Sequence, residues 1–188
     1  MGGRRMIYHS ALQEELSNLK ELDSYQSNGN TVFQYDINNG YNDIFDKADC
    51  IYIEPAWRDG YYKFAKRAGV FNAEFNDYLD NIREVIVKFN KPSFVVMGKH
   101  MIKRLAPDYT IQIKLHGYGC YVGVYNSNIN GEFKTNYDFM EYISTKFNKV
   151  LDFCCGYGNT LKYFKSFIAC DINKKCVYCV AKEYMRYE

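Results

Sequence analysis

A chain of 188 residues, 47% hydrophobic and 24% charged, is long enough to bury one core and too short for two ordinary enzyme domains, so residues 1–188 read as one domain. Its 24 basic against 22 acidic residues leave a formal charge of +2, which excludes recognition of nucleic acid or membrane by bulk electrostatics and leaves only local patches. Seven cysteines, an odd number, with no basic-then-apolar leader before them, argue against a secreted disulfide framework and for a reducing cytoplasm; no apolar run nears the ~20 residues that span a bilayer.

Residues 1–9, with Gly2-Gly3-Arg4-Arg5, read as a mobile basic start. Leu12, Leu16, Leu19 and Leu22 recur at helical spacing behind Ser10, which predicts a helix over 10–23 that Ser27-Asn28-Gly29-Asn30 breaks. Short β-branched and aromatic runs over 31–36 and 48–54 predict two strands. Phe75, Leu79, Ile82, Val85, Ile86 and Phe89 mark one face of a helix that Lys91-Pro92 closes, and Ser93 to Met97 follows as a buried strand. Runs over 110–115 and 121–125 flank His116-Gly117-Tyr118-Gly119 as a hairpin. A helix over 137–147, strands over 149–154 and 166–172 with a helix over 160–165 between them, and a last helix from Lys174 complete the chain. Cys176-x-x-Cys179 falls in that last helix and reads as core cysteines, with no metal expected. Seven strands alternating with helices, one hairpin among them, predict a doubly wound α/β sheet, whose ligands bind at the carboxyl ends of the strands.

Two strand ends carry chemistry. Val150-Leu151-Asp152-Phe153-Cys154-Cys155-Gly156-Tyr157-Gly158 is an apolar strand opening through Gly-x-Gly, where a ligand can approach the backbone closely, and Asp171 ends the following strand, placed to accept hydrogen bonds from ribose hydroxyls. Cys50-Ile51-Tyr52-Ile53-Glu54-Pro55-Ala56-Trp57 ends in a stiff turn that projects an oxygen acceptor and a flat ring.

The order of these elements resembles the S-adenosylmethionine-dependent amino-methyltransferases of DNA, in the circularly permuted arrangement where the catalytic motif precedes the cofactor motif. Glu54-Pro55-Ala56-Trp57 aligns with the family's Asp/Asn/Ser-Pro-Pro-aromatic tetrapeptide, and Asp152, Cys155, Gly156 and Gly158 match its Asp-Pro-Phe-Cys-Gly-Ser-Gly-Thr in register. The likeness runs from about 31 to 184. It implies a seven-stranded Rossmann-like sheet and S-adenosylmethionine as cofactor, bound by Asp36, Asp152, Phe153, Cys154, Cys155, Gly156, Gly158, Asp171 and Ile172. It also implies an exocyclic amine of adenine, less readily cytosine, as acceptor, its two N–H groups hydrogen-bonded to Glu54 and the Pro55 carbonyl while Trp57 stacks on a base flipped from the duplex or already single-stranded. Glu54 stands where the family has a shorter acceptor, Ala56 where it has a second proline and Cys154 where it has a phenylalanine. These departures leave open a cofactor-binding subunit without transfer activity; RNA or a protein glutamine are alternative substrates.

No length remains for a target-recognition domain, which implies low sequence specificity or a partner protein. Two basic clusters near the strand ends, Arg58, Lys63, Lys66 and Arg67, and Lys99, Lys103 and Arg104, are candidate phosphate contacts or plain solvated loops. The wealth of Tyr and Phe beside three prolines reads as the codon usage of an AT-rich source such as a phage or low-GC bacterium.

Overall fold

The structure, a computed structural model, describes residues 24–55, 75–114 and 120–184, with the backbone alone at 75–78 and 100. The helix expected over 10–23, the turn at 116–119 and the placing of the two termini lie outside these residues. The described strands are β1 (Ser24–Ser27), β2 (Asn30–Gln34), β3 (Cys50–Ile53), β4 (Ser93–Gly98), β5 (Tyr109–Gln112), β6 (Cys120–Tyr125), β7 (Lys149–Phe153) and β8 (Ser166–Asp171); the helices are α1 (Phe75–Phe89), α2 (Lys99–Leu105), α3 (Asn136–Ser144) and α4 (Lys174–Tyr184).

All eight strands join one sheet in the order β1-β2-β8-β7-β3-β4-β6-β5. From β2 to β4 neighbouring strands are parallel, whereas β6 runs antiparallel to both β4 and β5. Parallel strands buried on both faces need apolar side chains at every position, and Cys50, Ile51, Tyr52 and Ile53 of β3 are all buried. Successive side chains alternate between two cores: Cys50, Tyr52, Phe94, Val96 and Val150 pack with α3 and α4, while Ile51, Ile53, Val95, Met97 and Leu151 pack with α1 and α2. Each buried Ile, Leu or Phe contributes roughly 1.5–3 kcal/mol. This is the doubly wound arrangement that the alternation of strands and helices predicts.

Several elements differ from expectation, among them the helix α2 over Lys99–Leu105, where no helix was expected. An eighth strand, β1, pairs antiparallel with β2 through Asn28-Gly29, both at positive φ (49° and 79°), the geometry of a two-residue hairpin turn. The Ser27–Asn30 break is thus a hairpin. Between β7 and β8 the expected helix over 160–165 is only a 3₁₀ turn, Leu161–Tyr163. Leu161 and Phe164 are both buried, and a spacing of three suits the tighter coil.

Candidate functional site

The register of the three central strands brings their acids together. Tyr52 of β3 and Ala169 of β8 lie on either side of Asp152 in β7. Glu54 and Asp171 each follow one of those neighbours by two residues, so all three carboxyls fall on the α3–α4 face at the carboxyl edge of the sheet. Asp36 lies two residues beyond Gln34, the partner of Asp171 on β2.

Asp152 is 1% exposed, in a strand whose other buried residues are apolar. A carboxyl so buried requires a hydrogen-bond partner, and the loop folds back to provide it: the Thr160 hydroxyl donates to Asp152 Oδ2. Burial raises the Asp152 pKa to about 7, against the lowering effect of the Thr160 bond, and the negative charges of Glu54 and Asp171 add to the rise. Asp171 is held by two backbone amides: Gly156 N–H donates to Oδ2 at 2.9 Å and Asn173 N–H to Oδ1 at 2.8 Å. Burial raises its pKa too, and those two bonds oppose the rise. Asp36 caps a 3₁₀ turn over Ile37–Asn39, its side chain accepting from Asn38 N–H at 2.9 Å.

The loop between Asp152 and Thr160 is built on unusual backbone. Cys154 adopts φ 65°, a left-handed conformation that costs a residue with a Cβ on the order of 1–2 kcal/mol. Its thiol is pushed well up by burial and then by Asp171, Asp152 and Asp36, so three acids surround this one turn. The two glycines do different work. A Cβ on Gly158 (φ +71°) would meet Leu161, Val180 and Tyr184 at 3.0–3.2 Å, so this glycine lets the loop pack against α4. A Cβ on Gly156 (φ +52°) would meet nothing within 4 Å. Gly156 therefore faces open space beside Asp171, where a ligand can reach the backbone.

Glu54, just past β3, is clamped. The buried Tyr52 hydroxyl donates to its Oε2 at 2.8 Å and the Asn136 side-chain amide donates to its Oε1 at 3.1 Å. Asn136 opens α3 behind a capping box in which Thr135 and Asp138 bond each other's backbone amides. Its own carbonyl oxygen lies 3.8 Å from the Cys120 thiol.

The remaining expected site residues fall as follows. Pro55 is buried directly after Glu54; Ala56, Trp57, Arg58, Lys63, Lys66 and Arg67 lie outside the described residues. Cys155 is buried, and its amide donates to the Cys170 carbonyl at 3.0 Å. Phe153 is a core ring 5.6 Å from Phe45 and 6.1 Å from Tyr35, on the α1 face and so away from Asp152. Ile172 is half-buried, and its carbonyl accepts from the Gln34 side chain at 2.8 Å. Lys99 opens α2 at the carboxyl edge, its ammonium 6.0 Å from the Tyr121 ring. Lys103 and Arg104 are exposed in the last turn of α2, as the chain returns toward the start of β5. Tyr52, Asn136 and Thr160 were not among the residues expected at the site. A surface cleft of about 730 Å³ bordered by Pro92, Tyr142 and Lys146 lies at the opposite, amino edge of the sheet, away from these acids.

No family model and no curated protein matches the sequence. Solved structures do. The M1.HpyAVI–SAM complex superposes with a TM-score of 0.51 at 12% identity, covering 82% of this chain and 98% of that one. M1.HpyAVI alone gives 0.47 at 14% identity, over 79% and 99%. This chain shares the fold of the complex. The doubly wound methyltransferase-type sheet that the order of motifs implied is the architecture of the protein, enlarged by β1. Among the described residues no helix is long and apolar enough to cross a membrane.

Proposed function

We propose that the protein transfers a methyl group from S-adenosylmethionine to an exocyclic amine of adenine in DNA, cytosine being the second choice. The observation that carries this reading is the convergence of Glu54, Asp152 and Asp171 on adjoining strand ends around the open face of Gly156. Asp36 is close enough to add its charge at Cys154. Such a concentration of carboxylates disfavours an anionic ligand and suits a cation; S-adenosylmethionine carries a sulfonium and an ammonium. Asp171, with its oxygens fixed by backbone amides, would accept hydrogen bonds from ribose hydroxyls, and the open face of Gly156 supports the close approach of a ligand. The fold shared with M1.HpyAVI, which is known as a complex with SAM, supports the same assignment.

The cofactor supplies an electrophilic methyl group; the protein's part is orientation. Glu54 and the Pro55 carbonyl would each accept a hydrogen bond from one amine N–H and turn the nitrogen lone pair out of conjugation with the base. A free glutamate at this position would be too mobile and too long. Tyr52 and Asn136 hold it, so its carboxylate has one orientation, with lone pairs left over for an incoming N–H. Trp57 follows as the stacking face. The alternative, a cofactor-binding subunit without transfer, is favoured by the same clamp, because both Glu54 oxygens already accept a bond within the protein.

Calorimetric titration with S-adenosylmethionine followed by labelled-methyl transfer to single- and double-stranded DNA separates these readings. Binding and transfer to adenine is the expected result. Binding without transfer to any nucleic acid or protein glutamine leaves the subunit reading; absence of binding overturns both.

A further inference from the structure

Beside Glu54 the rim of the site carries a feature the proposed chemistry does not use. Asn136, which bonds Glu54, is followed by Tyr137, whose side chain is 49% exposed. Its ring lies 6.4 Å from that of Tyr163 at an interplanar angle of 40°. The ammonium of Lys162, an exposed residue, sits 5.4 Å from the Tyr137 ring and 5.1 Å from the Tyr163 ring. The two tyrosines come from separate elements, the first turn of α3 and the 3₁₀ turn after the glycine loop. Both elements are anchored to the acids: α3 through Asn136 to Glu54, and the 3₁₀ turn through the adjacent Thr160 to Asp152. Tyr163 is half-buried against the core, but the core needs neither the open Tyr137 ring nor a cation at this place.

We infer that Tyr137, Lys162 and Tyr163 form a stacking platform for a single-stranded nucleic acid, holding the nucleotide that adjoins the reacting base. The inference rests on the methyl-transfer reading above. A base drawn out of its stack leaves its neighbour with an uncovered face. An exposed tyrosine at the mouth of the site replaces that stack, and base–aromatic stacking contributes about 1–3 kcal/mol per base without regard to sequence. The ammonium lies over both rings, and turned outward it meets the phosphate that links the two nucleotides, at a rim where the neighbouring acids repel that phosphate from the centre. An acidic peptide would also meet Lys162, but it has no second flat face to match the tyrosine pair.

The test is fluorescence anisotropy of a labelled mixed-sequence oligodeoxynucleotide about 12 nucleotides long with the full chain, with S-adenosylmethionine affinity measured alongside by calorimetry. Tyr137→Ala is expected to weaken strand binding on the order of tenfold and Tyr137→Phe to leave it unchanged, in line with stacking. Lys162→Gln, at an exposed side chain that folding does not depend on, is expected to weaken binding and to flatten the salt dependence by about one phosphate contact. Cofactor affinity stays at the wild-type value in all three variants. Strand affinity and salt slope unchanged in Tyr137→Ala and Lys162→Gln, with methyl transfer intact, overturn the platform and leave the proposed function standing. A wild-type protein that takes up cofactor and methylates duplex DNA but binds no single strand also overturns the platform alone; one that takes up cofactor but neither binds nor methylates DNA of either form overturns both.

Discussion

Asp152 ties the site to pH. Its carboxyl, with a pKa of about 7 in the folded chain against roughly 3.9 when unfolded, holds a proton that the unfolded state has lost. Between those values the folded state binds more protons, so the group destabilises the fold as pH rises from about 4 to about 7. Asp152→Asn removes that penalty: thermal or denaturant unfolding is expected to show the variant more stable than wild type at pH 8, by up to about 4 kcal/mol, with the advantage shrinking toward pH 4. A pH-independent difference would show that Asp152 titrates normally. A cation bound beside the carboxyl favours its ionised form. S-adenosylmethionine binding at pH 6 should therefore release a proton, read as a dependence of calorimetric enthalpy on the buffer's ionisation heat. Glu54 carries a second prediction. Shortening it to Asp restores the family's type of residue but withdraws the carboxylate from Tyr52 and Asn136. Glu54→Asp is expected to lower kcat on the order of a hundredfold, as misplacement by about 1 Å does, with cofactor affinity unchanged; a gain in kcat would mean the clamp is incidental.

At the scale of elements, the glycine loop separates folding from binding. Gly158→Ala pushes a methyl into Leu161, Val180 and Tyr184 and is expected to cost about 1–3 kcal/mol of stability. Gly156→Ala meets open space, so its cost is the roughly 1 kcal/mol of its left-handed backbone, while its methyl stands where the ligand approaches. Its expected signature is a weakened cofactor affinity at near-normal melting temperature, checked by calorimetry and thermal melts. Which elements were legible follows from how each is held. The runs of β3, β4, β7 and β8 announce themselves because both faces of those strands are buried. By contrast β1 is Ser24-Tyr25-Gln26-Ser27, an edge strand with only Tyr25 buried, and nothing in its composition distinguishes it from a loop. The acids at the strand ends were visible as types at a spacing. Their partners were not, since Asn136 reaches Glu54 across 82 residues and Thr160 reaches Asp152 only because the loop doubles back. Tyr52, two residues before Glu54 and so on the same face of its strand, was the one partner that alternation alone could have indicated.

For the molecule as a whole, the sheet and the helices packed on it occupy most of the described chain, and the chain spans nearly all of M1.HpyAVI's length. The proposed function carries with it the expectation of low sequence specificity. DNA treated with the protein in vitro and then sequenced for modified bases should show methylation in many contexts, and binding should weaken steeply with salt, as phosphate-led contacts do. A single short recognition sequence would refute that expectation.

The order of strands has a further consequence, for how the chain comes to be folded. The hairpin of β1 and β2 and the block of β3 to β6 touch the sheet on opposite sides of β7 and β8, which come last in the chain. β2 meets β8 across well over a hundred residues, as in Val32 with Ala169. A hairpin alone is marginal in water, so during synthesis the early segments wait, with an apolar parallel edge uncovered, until the final two strands leave the ribosome and insert between them. Closure of that long loop makes folding slow and the waiting chain prone to aggregate. A chain ending at residue 148 is expected to lack a cooperative unfolding transition; adding residues 149–188 as a separate peptide tests whether the centre of the sheet can be supplied afterwards.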